Sequence, residues 1–129
     1  MIDHFGIGVR DFERALGFYQ QVLAPLGYGS VYHVPLADTG GAKVAGFGSQ
    51  AACGFWINES DQGGPALHFA FKAATKAQVD AFYTAALNAG GTDNGQPGLR
   101  PQYHPSYYGA FVLDLDGNNI EAVCHHAED

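Results

Sequence analysis

The chain has 129 residues, 47% of them apolar, and 13 acidic against 6 basic side chains give it a net charge of −7. That length suits one domain with a core large enough to stand without disulfide staples, and the acidic balance opposes a nucleic-acid phosphate backbone as partner. No run of 18 apolar residues offers a membrane span, and Met1-Ile2-Asp3-His4 opens without a basic or apolar leader. Cys53 and Cys124 form no paired framework, so a soluble, cytoplasmic protein with free thiols is expected.

Residues 2–9 alternate as a strand, with Phe5, Ile7 and Val9 on one face. His4, Gly6 and Gly8 lie on the other, which leaves room for a bound molecule beside an imidazole. Asp11 is a good helix N-cap, and Phe12, Ala15, Leu16, Tyr19, Val22, Leu23 and Leu26 recur at helical spacing. The helix should stop near Pro25 and Gly27. Short strands are expected over 29–34, 43–47 and 54–58, with a turn at Asp38-Thr39-Gly40-Gly41.

Asp61-Gln62-Gly63-Gly64-Pro65 is the clearest break, and beyond it the chain starts again. His4-Phe5, Phe18-Tyr19, Leu23 and Gly27 return as His68-Phe69, Phe82-Tyr83, Leu87 and Gly91, each 64 positions later. A repeat at half the chain length signals two copies of one unit, module one over about 1–60 and module two over about 66–126 of a single domain. In the second copy Phe69, Phe71 and Ala73 share a strand face opposite His68 and Ala70, and Thr75-Lys76-Ala77-Gln78 reads as a capping box. A Pro- and Gly-rich run over 92–107 is long for a connection, so it is either functional or partly stranded. Two strands over 108–115 and 118–124 close the chain around Asp114-Leu115-Asp116-Gly117. Phe111 stands 64 after Phe47, and Glu121 shares a face with Asn119 and Val123. His125-His126 reads as a frayed end. Each half is thus strand, helix and three strands, an α+β architecture in which one helix covers one sheet face and the other face needs an occupant.

His4, His68 and Glu121 each lie on a strand face away from the main apolar row. Two imidazoles and a carboxylate are the donor set that holds a divalent metal with open positions for substrate.

With these residues the chain resembles the vicinal oxygen chelate superfamily, which includes glyoxalase I, bleomycin-resistance proteins, fosfomycin thiol transferases, methylmalonyl-CoA epimerase and extradiol dioxygenases. The similarity rests on Ile2-Asp3-His4-Phe5, on the helix with Phe18-Tyr19 and Leu26-Gly27, and on His68. Its most specific part is the segment from Phe111 through Asp114-Leu115-Asp116-Gly117-Asn118-Asn119 to Glu121. The resemblance implies two tandem βαβββ modules, a mixed sheet curved around a central cavity with the helices outside, and a homodimer acting on a small-molecule substrate. It also implies His4, His68 and Glu121 as ligands of iron, manganese, zinc or nickel. The fourth ligand of glyoxalase I is missing, since its place falls near Phe55-Trp56-Ile57, and this weakens an isomerase reading against thiol transfer or ring cleavage. Tyr103, His104 or Tyr107 then serve as proton donors, Arg100 holds an anionic group, and Trp56 and Tyr108 form apolar walls. The competing expectation is a metal-free binding protein of the bleomycin-resistance kind.

Overall fold

The computed structural model describes residues 1–49 and 52–126. The chain divides into two compact units, Met1–Pro65 and Ala66–Asp129. The first comprises β1 (Phe5–Val9), α1 (Phe12–Leu23), β2 (Ser30–His33), β3 (Val44–Ser49) and β4 (Ala52–Glu59). Its sheet order is β1-β4-β3-β2, with β1 parallel to β4 and the other pairs antiparallel.

The Asp11 carboxylate accepts the Arg14 N–H at 3.2 Å and so caps α1. The helix tightens into a 3₁₀ turn at Ala24–Leu26, and Gly27 leaves it at φ +87°, a left-handed conformation that a side chain would oppose. Phe18, Tyr19, Val22 and Leu23 face the sheet and are buried with Ile7, Val9, Phe47, Phe55 and Ile57. The Tyr19 ring lies 4.8 Å from that of Phe55. Each such burial contributes about 1.5–3 kcal/mol against the entropy of ordering the chain.

The second unit repeats the plan: β5 (His68–Lys72), α2 (Lys76–Asn88), β6 (Thr92–Leu99), β7 (Tyr108–Leu113) and β8 (Asn119–Cys124), in the order β5-β8-β7-β6. Thr75 caps α2 through a 3.1 Å bond from the Gln78 N–H. The Gln78 side chain reaches one residue beyond the expected box, to the Ala74 N–H at 2.6 Å. Val79, Phe82 and Ala86 are buried with Phe71, Ala110, Val112, Ile120 and Ala122. The fold is α+β, with two tandem βαβββ modules and two mixed four-stranded sheets. Among the described residues no helix is long and apolar enough to cross a membrane.

Strand register corrects one detail of the repeat. Gly6 pairs with Trp56 in the first unit and Ala70 with Glu121 in the second, so the last strands correspond at an offset of 65. Phe111, which pairs with Glu121, therefore matches Gly46, which pairs with Trp56, and not Phe47. The long run before Tyr108 is stranded over its first half as β6, and residues 100–107 remain a loop.

Candidate metal centre

β5 and β8 run parallel and in register, which places His68 and Glu121 on the sheet face away from α2. The His68 Nε2 faces Glu121 Oε1 across 3.4 Å. The other ring nitrogen, Nδ1, is 2.9 Å from the Asn119 carbonyl oxygen. A carbonyl only accepts, so the ring proton sits on Nδ1 and the nitrogen facing Glu121 is the lone-pair one of the neutral imidazole. Two acceptors set against each other are reconciled by a cation between them, either a proton or a metal ion. Two donors about 2.0–2.1 Å from one ion at a tetrahedral angle lie about 3.4 Å apart, so this spacing fits a metal.

Glu121 is only 2% exposed, although it stands on a strand between Ile120 and Ala122. Burial pushes its carboxyl above the usual carboxylate range, while the Tyr107 hydrogen bond, the Arg100 charge and, in their protonated forms, His68 and His125 pull it back. The Tyr107 hydroxyl donates to Oε2. Burial raises the Tyr107 phenol, and the hydrogen bond and negative charge of Glu121 raise it further. Phe111, the cross-strand partner of Glu121, stacks against His68 at 6.2 Å and carries the Arg100 guanidinium 5.4 Å from its ring centre. Arg100 also donates to the Gly98 and Gln96 carbonyls, which ties it to the end of β6.

Tyr103, His104 and Tyr107 come together in the loop between β6 and β7. The rings of Tyr103 and His104 both meet Tyr107 edge-on. His125, expected to be frayed, joins them: its ring lies edge to edge with that of His104, centres 5.1 Å apart, with a ring-nitrogen contact of 2.8 Å. Its sequence signal was parity, since 119, 121, 123 and 125 continue one alternation past the last strand. Tyr108 lies on the opposite face, its hydroxyl 2.6 Å from Asp80 of α2 and its ring under Lys76. It braces the helix against the sheet and is separated by that sheet from Glu121.

His4 and Trp56 belong to the first unit. His4 precedes β1, with its Nδ1 2.6 Å from Asp3 Oδ1. By register Trp56 holds the place that Glu121 holds in the second unit. A Cβ on Gly46 would fall 2.7 Å from the indole, and one on Gly6 3.3 Å from the Trp56 Cβ, so two glycines make the room that the large side chain needs. The indole N–H donates to the Cys53 carbonyl at 3.1 Å, and Tyr32 stands edge-on to the ring. Glu59, the nearest acid, accepts the Lys43 N–H at 2.8 Å. Among the described residues no three His, Cys, Asp or Glu side chains are grouped to hold a metal ion.

The family model for the glyoxalase/bleomycin resistance protein/dioxygenase superfamily matches residues 1–122. The chain belongs to that superfamily. Among solved structures of the superfamily, a glyoxalase/bleomycin resistance protein from Albidiferax ferrireducens is 30% identical, with a TM-score of 0.77 over 95% of this chain and 97% of that one. A glyoxalase/bleomycin resistance protein/dioxygenase family enzyme from Burkholderia phytofirmans is 21% identical, with a TM-score of 0.68 over 95% and 97% of the two chains. Glyoxalase I from Zea mays, as an E144Q mutant, shares the fold at 21% identity and a TM-score of 0.68, this chain spanning 46% of its length. No curated protein matches the sequence. Superfamily members include metal-dependent enzymes. The donor chemistry of His68 and Glu121, with Nδ1 anchored by a carbonyl and Nε2 turned to a buried carboxylate, fits such an ion.

Proposed function

We propose that the protein is a metal-dependent enzyme of this superfamily acting on a small oxygen-bearing substrate. The observation that carries the reading is the His68 Nε2 facing the buried Glu121 Oε1 at 3.4 Å, with the imidazole oriented from behind by Asn119. His4, the matching histidine of the first unit, is the third donor that the superfamily pattern supplies, in a homodimeric, cytoplasmic protein. Iron, manganese, zinc or nickel suits two imidazoles and a carboxylate. Once bound, such an ion polarises a chelated oxygen and stabilises charge that develops on it.

The chain's own residues have separable tasks. His68 and Glu121 bind. Arg100, held over Phe111, attracts an anionic group, and Tyr103 on the loop offers a proton. Trp56 in place of an acid leaves the first unit without a carboxylate to act as base beside a carbonyl, which favours thiol transfer or ring cleavage over isomerisation.

A second reading, a metal-free binding protein, is favoured by the same Trp56, whose indole with Tyr32 gives an aromatic surface for a flat or cationic ligand. The test is to load the protein with each of the four metals and assay catechol ring cleavage, thiol addition to an epoxide, and proton transfer beside a carbonyl. Turnover lost in both His68→Ala and Glu121→Gln supports the enzyme. Turnover that survives both contradicts it, and tight binding of an aromatic cation without turnover supports the second reading.

A further inference from the structure

The hydroxyl of Tyr107 is not directed to an open site. It donates to Glu121 Oε2, while Oε1 of the same carboxylate faces His68. The tyrosine is held there from several sides. Its ring meets those of Tyr103 at 4.9 Å, His104 at 5.4 Å and His125 at 5.4 Å, each at a steep angle. Its carbonyl accepts the Arg100 N–H at 2.8 Å, and its N–H donates to the His104 carbonyl at 3.2 Å. Gly109 keeps the way clear, because a Cβ there would stand 3.2 Å from the Tyr107 ring and 3.3 Å from Glu121 Oε2.

The two histidines form an ordered chain. The Ser106 N–H donates to His104 Nδ1 at 3.1 Å, so His104 carries its proton on Nε2 and donates it to His125 Nδ1 at 2.8 Å. Edge to edge and hydrogen-bonded, the pair forms a brace along one side of Tyr107.

We propose that Tyr107 is the positioning residue of Glu121: by taking Oε2 it turns the carboxylate into a one-oxygen donor aimed past His68, and the His104–His125 pair keeps it in that role. This rests on the metal-binding reading of His68 and Glu121. It assigns Tyr107 to the carboxylate in place of direct proton donation to substrate, and it gives His125 a function where the sequence suggested only a chain end. Groups that orient a metal ligand typically alter metal affinity 10- to 100-fold when removed.

The test is zinc affinity, by competition with a chromogenic chelator, for the wild type, Tyr107→Phe, His125→Ala and the double variant. His68→Ala defines binding outside the site, and thermal midpoints are read alongside. Tyr107→Phe keeps the ring packing and removes only the hydroxyl. The expected result is zinc binding roughly 10- to 100-fold weaker in Tyr107→Phe with a nearly unchanged midpoint. His125→Ala should weaken binding in the same direction, and the double variant should be no worse than Tyr107→Phe alone, because the brace acts through the hydroxyl. Equal or tighter binding by Tyr107→Phe overturns the proposal, since the hydroxyl is then a bystander or a competitor. So does additive loss in the double variant. A wild type that binds zinc no better than His68→Ala overturns it together with the metal-binding reading, whereas failure at Tyr107 alone leaves that reading standing.

Discussion

Asn118 ties the start of β5 to the hairpin that carries Glu121. Its side-chain oxygen accepts the Leu67 N–H at 2.9 Å, and its amide donates to Asp114 Oδ2 at 2.9 Å, all in a position only 3% exposed. Asn118→Ala removes both bonds and should destabilise by about 1–3 kcal/mol, which a urea denaturation midpoint measures. Tyr108 carries a different signature. Its phenol is pushed up to about 12 from 10.0, by burial first and then by the Asp80 hydrogen bond and charge. Between those values the unfolded chain gives up the proton while the native state keeps it, so stability falls as pH rises through that window. Tyr108→Phe should flatten the alkaline loss of stability between about pH 10 and about pH 12, and an unchanged slope would contradict the assignment. The pairing of His68 with Glu121 was legible because both occupy alternating strand positions opposite apolar rows. The hydroxyl of Tyr107 and the ring of His125 were not, since their roles depend on how a loop folds back, and no periodicity encodes that.

At the scale of elements, both helices were readable from their caps and apolar stripes, while strand β6 was expected only from the repeat and the length of its run, without bounds. Its sequence, Thr92-Asp93-Asn94-Gly95-Gln96-Pro97-Gly98-Leu99, has no apolar alternation, and its register with β7 shifts twice. It lies at the edge of its sheet, where proline and bulges are tolerated and backbone pairing does the holding. Gly91, between α2 and β6, is set by packing. A Cβ there would fall 2.6 Å from a Val112 methyl and 2.9 Å from the Ala86 carbonyl oxygen. Gly91→Ala should therefore destabilise by about 1–3 kcal/mol despite alanine's lower chain entropy, and a thermal melt checks it. Thr75→Ala, which removes the α2 cap, should cost about 1 kcal/mol by the same measurement.

For the whole molecule, the duplicated sequence predicted duplicated architecture, and the two βαβββ units follow from it. The chemistry is not duplicated. Where the second unit sets Glu121 between Ala70 and Phe111, the first sets Trp56 between Gly6 and Gly46, so one copy offers a carboxylate and the other an indole. The sequence hinted at this through the missing acid, but only strand register assigns Trp56 to that position and shows the paired glycines that accommodate it. On the proposed reading, the His68–Glu121 pair calls for one metal per chain. The direct test is elemental mass spectrometry of the purified protein, as isolated and after reloading, for the wild type and His68→Ala. Close to one transition-metal ion per wild-type chain is expected, and nearly none in the variant. A wild type that stays empty after reloading, or a variant that retains its metal, would contradict it.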